Sequence, residues 1–183
     1  LGPLIILILE SIGLLLVLGL VILFFSSNPE LLNQLSSQFQ ELTMGAGDPE
    51  QTIEALLPYL AQPGILFGSV SFISIFVPLI EEALKPIAVW LLPGSKLTPA
   101  AGFAIGAICG AGFALFESLG LSSSVTDWAY LVSARLGTSV IHIANSAFMG
   151  WALVCAWRKR RYFQLAWVYL AVVVAHGSWN AIS

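Results

Sequence analysis

Five apolar stretches of this chain each reach the roughly 20 residues that an α-helix needs to cross the hydrocarbon of a membrane. They lie near residues 4–25, 64–92, 97–121, 131–157 and 163–183. Of the 183 residues, 58% are hydrophobic and 9% are charged, a composition far from that of soluble globular domains. The sequence therefore predicts an all-α, polytopic transmembrane helix bundle of about five spans, with residues 1–183 forming a single transmembrane domain.

Other features of the sequence argue against a cysteine site, nucleic acid binding and a signal peptide. Cys109 and Cys155 lie in different apolar stretches, and their spacing indicates neither a metal knuckle nor a disulfide. No basic run interleaved with aromatic residues indicates nucleic acid binding. The first stretch has no basic segment ahead of it, so it is read as a span and not as a signal peptide. Since the sequence begins at Leu1 instead of Met, further terminal helices are compatible with it.

Charge asymmetry predicts the orientation in the membrane. The segment 26–62 holds five acidic residues and no Lys or Arg, whereas residues 158–161 are all basic. Basic loops favour the cytoplasmic side, so we expect a cytoplasmic N-terminus and an extracytoplasmic segment 26–62. The membrane is expected to be a bacterial or archaeal plasma membrane. Within that segment, Asn-Pro-Glu at 28–30 and Asp-Pro-Glu at 48–50 each offer an N-cap, a proline and an acid. They predict two short amphipathic helices.

Ionisable side chains recur inside the last four predicted spans. A charge at the centre of the bilayer costs at least a few kcal/mol, so such groups normally face one another around a polar site. At about 100° per residue, each of these spans presents one polar face. At about 1.5 Å per residue, they lie between mid-membrane and the outer surface. The residues are Glu81, Glu82, Lys85, Glu117, Arg135, His142 and His176.

The helical faces add further residues to this group. Gly102, Gly106 and Gly110 form a stripe that allows close approach of another helix, and Glu117 falls in the middle of it. Pro78, one turn before the paired glutamates, is expected to distort its helix. Asn145 borders the polar face of the fourth span, and Asn180 aligns with His176 in the fifth. Arg135 is expected to reach the outer headgroups or to pair with Asp127.

The order of these motifs resembles that of the PrsW family of intramembrane proteases. Glu81-Glu82-x-x-Lys85 is followed by Phe113-x-x-x-Glu117 and then by one histidine on each of two later helices. The related CAAX prenyl endopeptidases usually carry Arg after the paired glutamates, and His where this chain has Glu117. The resemblance covers residues 64–183, which it makes the protease core.

This resemblance implies an intramembrane endopeptidase that cleaves a membrane-anchored protein substrate, typically an anti-sigma factor, near the extracytoplasmic surface. It makes five residues the active-site set, with Lys85 as a supporting charge. They are Glu81, Glu82, Glu117, His142 and His176. The same superfamily contains the non-catalytic scaffold subunit of gamma-secretase, so the fold by itself does not establish proteolysis.

Two chemistries fit these residues. In a metalloprotease, Glu117, His142 and His176 would hold zinc, and Glu81 or Glu82 would be the general base. In a metal-free glutamate peptidase, a glutamate and a histidine would activate water. The other histidine, with Asn145 or Asn180, would then donate to the oxyanion.

Two other classes of function remain open at this point. Glu and His side chains inside membranes also form the proton relays of coupled transporters, although the chain has no internal repeat. A non-catalytic scaffold would use the polar cluster only to hold helices together, with Glu81, Glu82 and Lys85 as a buried structural ion pair.

Overall fold

The computed structural model describes residues 2–27, 61–92, 96–121 and 128–182, together with residues 29, 30, 33, 36, 37, 40, 57 and 58. Within these ranges the chain is helical and has no strand, which confirms the all-α prediction. The elements are α1 (Gly2–Ser26), α2 (Pro63–Ser71), a π-helical segment (Phe72–Phe76), α3 (Val77–Leu84), α4 (Ile87–Trp90), α5 (Pro99–Leu121), α6 (Trp128–Lys159) and α7 (Tyr162–Ile182).

Four described stretches are long and apolar enough to cross a membrane, and they match the last four predicted spans. These stretches are Leu66–Leu84, Pro99–Leu119, Arg135–Lys159 and Tyr162–Ile182. The protein is therefore a multi-pass membrane protein. Helix α1 is 25 residues long and carries a shorter described apolar stretch, Ile5–Leu16, so a fifth span stays a prediction. The two short amphipathic helices predicted within 26–62 lie largely outside the described residues.

The chain divides into two compact units, Leu1–Ile8 with Val70–Ser183, and Leu9–Ser69. In the second unit, the hydroxyls of Ser26 and Ser27 donate to carbonyl oxygens one turn back, which satisfies acceptors at the end of α1. The ionisable residues of the last four spans all belong to the first unit. A single domain over 1–183 stays a prediction.

Glycines bring α5 and α6 into backbone contact, as their stripe on α5 predicts. A Cβ atom on Gly106 would meet the carbonyl oxygen of Ser146, and one on Gly110 would meet that of His142. Without these side chains the two helix backbones lie against each other, a packing common between membrane helices. The contact sets the height of the carboxyl-bearing end of α5 relative to the histidine of α6.

Gly106→Ala is expected to lower the stability of the bundle by about 1–3 kcal/mol, because the added methyl group collides with the Ser146 backbone and the helices must separate. The measurement is the midpoint of thermal unfolding in detergent. Gly112→Ala, on the same helix, is the matched control, because a Cβ atom there would meet nothing within 4 Å. Equal unfolding midpoints for the two variants would contradict the close contact.

Helix α3 begins with an irregularity at the predicted position. Pro78 has no N–H, so the carbonyl of Ser74 lacks its usual helical donor, and the π-helical segment immediately precedes this turn. Helix α7 packs there, because a Cβ atom on Gly177 would meet the Ser74 carbonyl oxygen. Farther along, the Tyr169 hydroxyl donates to the Leu79 carbonyl at 2.7 Å. These contacts fix α7 against the helix that carries the paired glutamates.

Candidate active site

The paired glutamates and the lysine of α3 form buried ion pairs. Lys85 follows Glu81 and Glu82 by four and three residues, a spacing that places all three on one side of the helix. Its Nζ lies 2.7 Å from Glu81 Oε2 and 2.8 Å from Glu82 Oε1. The side chains of Lys85 and Glu82 are completely buried, and that of Glu81 is 8% exposed. Buried charges of this kind need partners of opposite sign, and here Lys85 is the partner of both glutamates.

Both histidines of the chain reach this group from other helices. His142 of α6 places Nδ1 2.7 Å from Lys85 Nζ. His176 of α7 places Nδ1 2.8 Å from Glu82 Oε1 and 3.5 Å from Lys85 Nζ. The two rings meet edge to face, with centroids 5.0 Å apart, and both are buried. Three helices thus contribute to one polar centre, whereas the sequence predicts a fourth contribution from Glu117 of α5.

Four of these residues have the donor set of a metal site. Glu81, Glu82, His142 and His176 each offer one ligand atom, and these atoms lie within 4.8 Å of one another. The Lys85 ammonium contacts all four residues, so a cation already lies between the donors. Glu82 Oε2 is buried and has no hydrogen-bond partner in the described part of the chain. Carboxylate oxygen and imidazole nitrogen are ligands that zinc accepts, so these four residues fit a metal site. The set predicted from the sequence shares His142 and His176 with them but has Glu117 as its carboxylate ligand.

Glu117 contacts the other side of His142. Its Oε2 lies 2.8 Å from His142 Nε2 and 2.8 Å from Arg135 Nη2. Arg135 Nε also donates to Ser118 Oγ at 3.0 Å. Arg135 therefore pairs with Glu117, while Asp127, its expected partner, lies outside the described residues. Glu117 is not one of the four clustered groups, and its role as a metal ligand stays a prediction.

The two asparagines form hydrogen bonds with backbone. Asn145 Nδ2 donates to the Val172 carbonyl at 3.1 Å, and Asn180 Nδ2 donates to the Ile73 carbonyl at 3.0 Å. Each bond connects α7 to a neighbouring element, and neither amide is among the polar contacts described for the cluster. The catalytic roles predicted for both residues stay predictions.

Phe113 packs against Lys85 and His142, a contact that the sequence analysis did not predict. Its ring lies 4.6 Å from Lys85 Nζ and meets the His142 ring edge to face, with centroids 5.2 Å apart. Phe113 precedes Glu117 by four residues, so the two side chains reach His142 from successive turns of α5. The four-residue spacing of Phe113 and Glu117 is the sequence feature from which this contact could have been predicted.

The fold and the cluster together define a class of protein. Helices that cross a membrane and converge on buried carboxylates, imidazoles and a cation provide the groups that activate water for hydrolysis away from bulk solvent. A family model described as PrsW family intramembrane metalloprotease matches residues 4–183, and the chain belongs to this family. It is an intramembrane protease, which acts on a protein substrate within the lipid bilayer. No curated protein and no solved structure matches the chain.

Proposed function

We propose that the chain is a zinc-dependent intramembrane endopeptidase. It hydrolyses a peptide bond of a membrane-anchored, anti-sigma-factor-like protein near the extracytoplasmic surface of the membrane. The observation that carries this proposal is the set of four donor groups, Glu81, Glu82, His142 and His176, whose ligand atoms lie within 4.8 Å of one another. Membership of a metalloprotease family supports the same reading.

The geometry favours different roles for the individual residues of the cluster. His142 Nδ1, His176 Nδ1 and a Glu82 oxygen would hold the ion, because Glu82 is completely buried and already contacts His176. Glu81 is slightly more exposed and would take the proton of the attacking water. Zinc held by these residues would lower the pKa of a water ligand to about 7 and would polarise the scissile carbonyl.

Lys85 would hold the cluster together before metal arrives. Its ammonium neutralises two carboxylates that would otherwise repel each other in a medium of low dielectric constant. A divalent cation held by Glu82, His142 and His176 would displace the ammonium from between these donors. The flexible four-carbon stem of lysine allows such a movement.

Lys85→Met is expected to destabilise the metal-free protein by about 3 kcal/mol, since it leaves two buried carboxylates without a cation. Added zinc should raise the unfolding midpoint of the variant more than that of the wild type, because zinc replaces the missing charge. Thermal unfolding in detergent, with and without zinc, measures both effects. Lys96→Met, at an exposed lysine, is the matched control. Unchanged stability of metal-free Lys85→Met would contradict this role.

The depth of the site supports cleavage toward the extracytoplasmic surface. His176 lies about four helical turns beyond Tyr162, roughly 21 Å along the helix axis. The hydrocarbon layer is about 30 Å thick. If the basic residues 158–161 face the cytoplasm of a bacterial or archaeal cell, with the N-terminus on the same side, the cluster lies in the outer half of the membrane.

The test is cleavage in proteoliposomes that contain the purified protein and a single-span anti-sigma factor with a different tag at each end. Mass spectrometry of the fragments locates the scissile bond. We expect a cut in the extracytoplasmic half of the substrate span, with zinc required. A cut in the cytoplasmic half would contradict the orientation. An intact substrate, beside another single-span protein that is cut, would contradict the substrate class.

A further inference from the structure

We propose that Glu117 is a positioning residue that fixes His142 in the tautomer with its proton on Nε2, and that Arg135 holds Glu117 in place for this purpose. This assignment rests on the proposed function, because it prepares His142 Nδ1 to bind the metal. The sequence alone favours Glu117 as a metal ligand. In this proposal Glu117 contacts the ligand His142 and not the metal.

The tautomer follows from the two neighbours of the ring. Lys85 Nζ, 2.7 Å from His142 Nδ1, is an ammonium that donates hydrogen bonds and accepts none. Nδ1 must therefore be the accepting nitrogen. A neutral imidazole carries its single proton on the other nitrogen, and Nε2 donates it to Glu117 Oε2 at 2.8 Å. Each ring nitrogen thus has a partner of the required kind.

Arg135 restrains the carboxylate that accepts this proton. Its Nη2 donates to the same Glu117 oxygen, and its Nε donates to the hydroxyl of the adjacent Ser118. Ser118 in turn donates to the Ala114 carbonyl at 2.7 Å, which fixes its own orientation. The guanidinium therefore binds two neighbouring side chains of α5 from α6. Glu117 is left with little freedom to turn away from the ring.

The same geometry separates Glu117 from the donor cluster. The two nitrogens of an imidazole point in divergent directions, so a group bonded at Nε2 lies outside the contacts of an ion bound at Nδ1. Carboxylates that accept the ring N–H proton opposite the metal-binding nitrogen of a histidine fix its orientation and raise its basicity, and their loss typically weakens metal binding by 10–100-fold. Phe113 packs against the ring edge to face and limits its rotation.

Zinc titration of Glu117→Ala and Glu117→Gln separates a positioning role from a ligand role. We expect Glu117→Ala to retain about one zinc per chain at saturation, with affinity lowered by about 10–100-fold. Glu117→Gln should lose less, because its amide oxygen still accepts from Nε2. It also serves if the alanine variant does not fold. A variant that binds no zinc at any concentration, beside a wild type that does, would make Glu117 a ligand.

A second measurement does not depend on zinc. Ring nitrogen-15 spectra of the metal-free protein report which nitrogen is protonated, and the chain has only two histidines to assign. We expect the Nε2–H tautomer for His142 in the wild type. Because Lys85 also favours that tautomer, the effect of Glu117 is read in the Lys85→Met background, where adding Glu117→Ala should shift His142 toward a mixture of tautomers. An unchanged His142 signal would overturn the proposal. If the wild type binds no zinc but the signal shifts, the zinc proposal fails while the positioning role stands.

Discussion

Replacing Glu81 by Gln is expected to lower the rate of peptide-bond cleavage by about 10⁴-fold, at the upper end of what a positioned general base contributes. Gln has nearly the same shape but cannot accept the proton of the attacking water. The neighbouring Glu82 cannot substitute for it if that carboxylate holds the metal. Single-turnover cleavage of a tagged single-span substrate in proteoliposomes measures the loss, and metal analysis of the same preparation should still find the ion.

Two further variants make this result interpretable. Glu30→Gln makes the same chemical change at an exposed glutamate and should cleave at the wild-type rate. Glu82→Gln should lose metal as well as activity, which distinguishes a ligand from a base. A Glu81→Gln protein that is inactive because it has lost its metal would reverse the roles of the two glutamates. Full activity in that variant would exclude Glu81 as the base.

The double variant His142→Ala, His176→Ala is expected to lose both the bound metal and all detectable cleavage. These are the only histidines of the chain, and each offers a ring nitrogen within 4.8 Å of the Glu81 and Glu82 ligand atoms, so no other imidazole replaces them. Mass spectrometry of the metal content, beside the protein concentration, should give about one zinc per wild-type chain and none for the variant. The affinity tag used in purification must contain no histidine.

The contradictory outcomes are specific. Metal retained by the folded double variant would exclude this cluster as the metal site. Wild-type protein that cleaves its substrate without any bound metal would indicate that a glutamate and a histidine activate the water by themselves. The unfolding midpoint of the double variant, compared with that of Gly112→Ala, shows whether loss of metal is separate from loss of the fold.

Most of the helical architecture follows from the sequence, because the bilayer sets a minimum length for every span. The predicted stretches near 97–121 and 163–183 agree within a few residues with Pro99–Leu121 and Tyr162–Ile182. Pro78 predicts the irregular turn because it removes a backbone donor. Its form, five residues of π-helix ahead of the proline, depends on how α7 packs there, which periodicity does not contain.

The convergence of the site was also predictable, since helical spacing places each ionisable residue on the inner face of its helix. Spacing gives the direction of a side chain from its helix but not the atoms that it touches. The sequence therefore could not distinguish Nδ1 of His142 from Nε2, and so could not place Glu117 outside the donor cluster. Nor could it reveal that the Asn145 and Asn180 amides bond to backbone, because those acceptors belong to neighbouring helices.

The Lys85 ammonium has a consequence for how the protein is made. Many small metal-binding domains stay unfolded until the ion arrives, because their ligands have nothing else to bind. Here the four donor groups contact a charge that the chain itself carries, so the helices can be inserted and packed without any metal. If the cluster binds zinc as proposed, biosynthesis in the membrane is separated from the supply of the metal, and activation is a later step in the life of an already assembled protein.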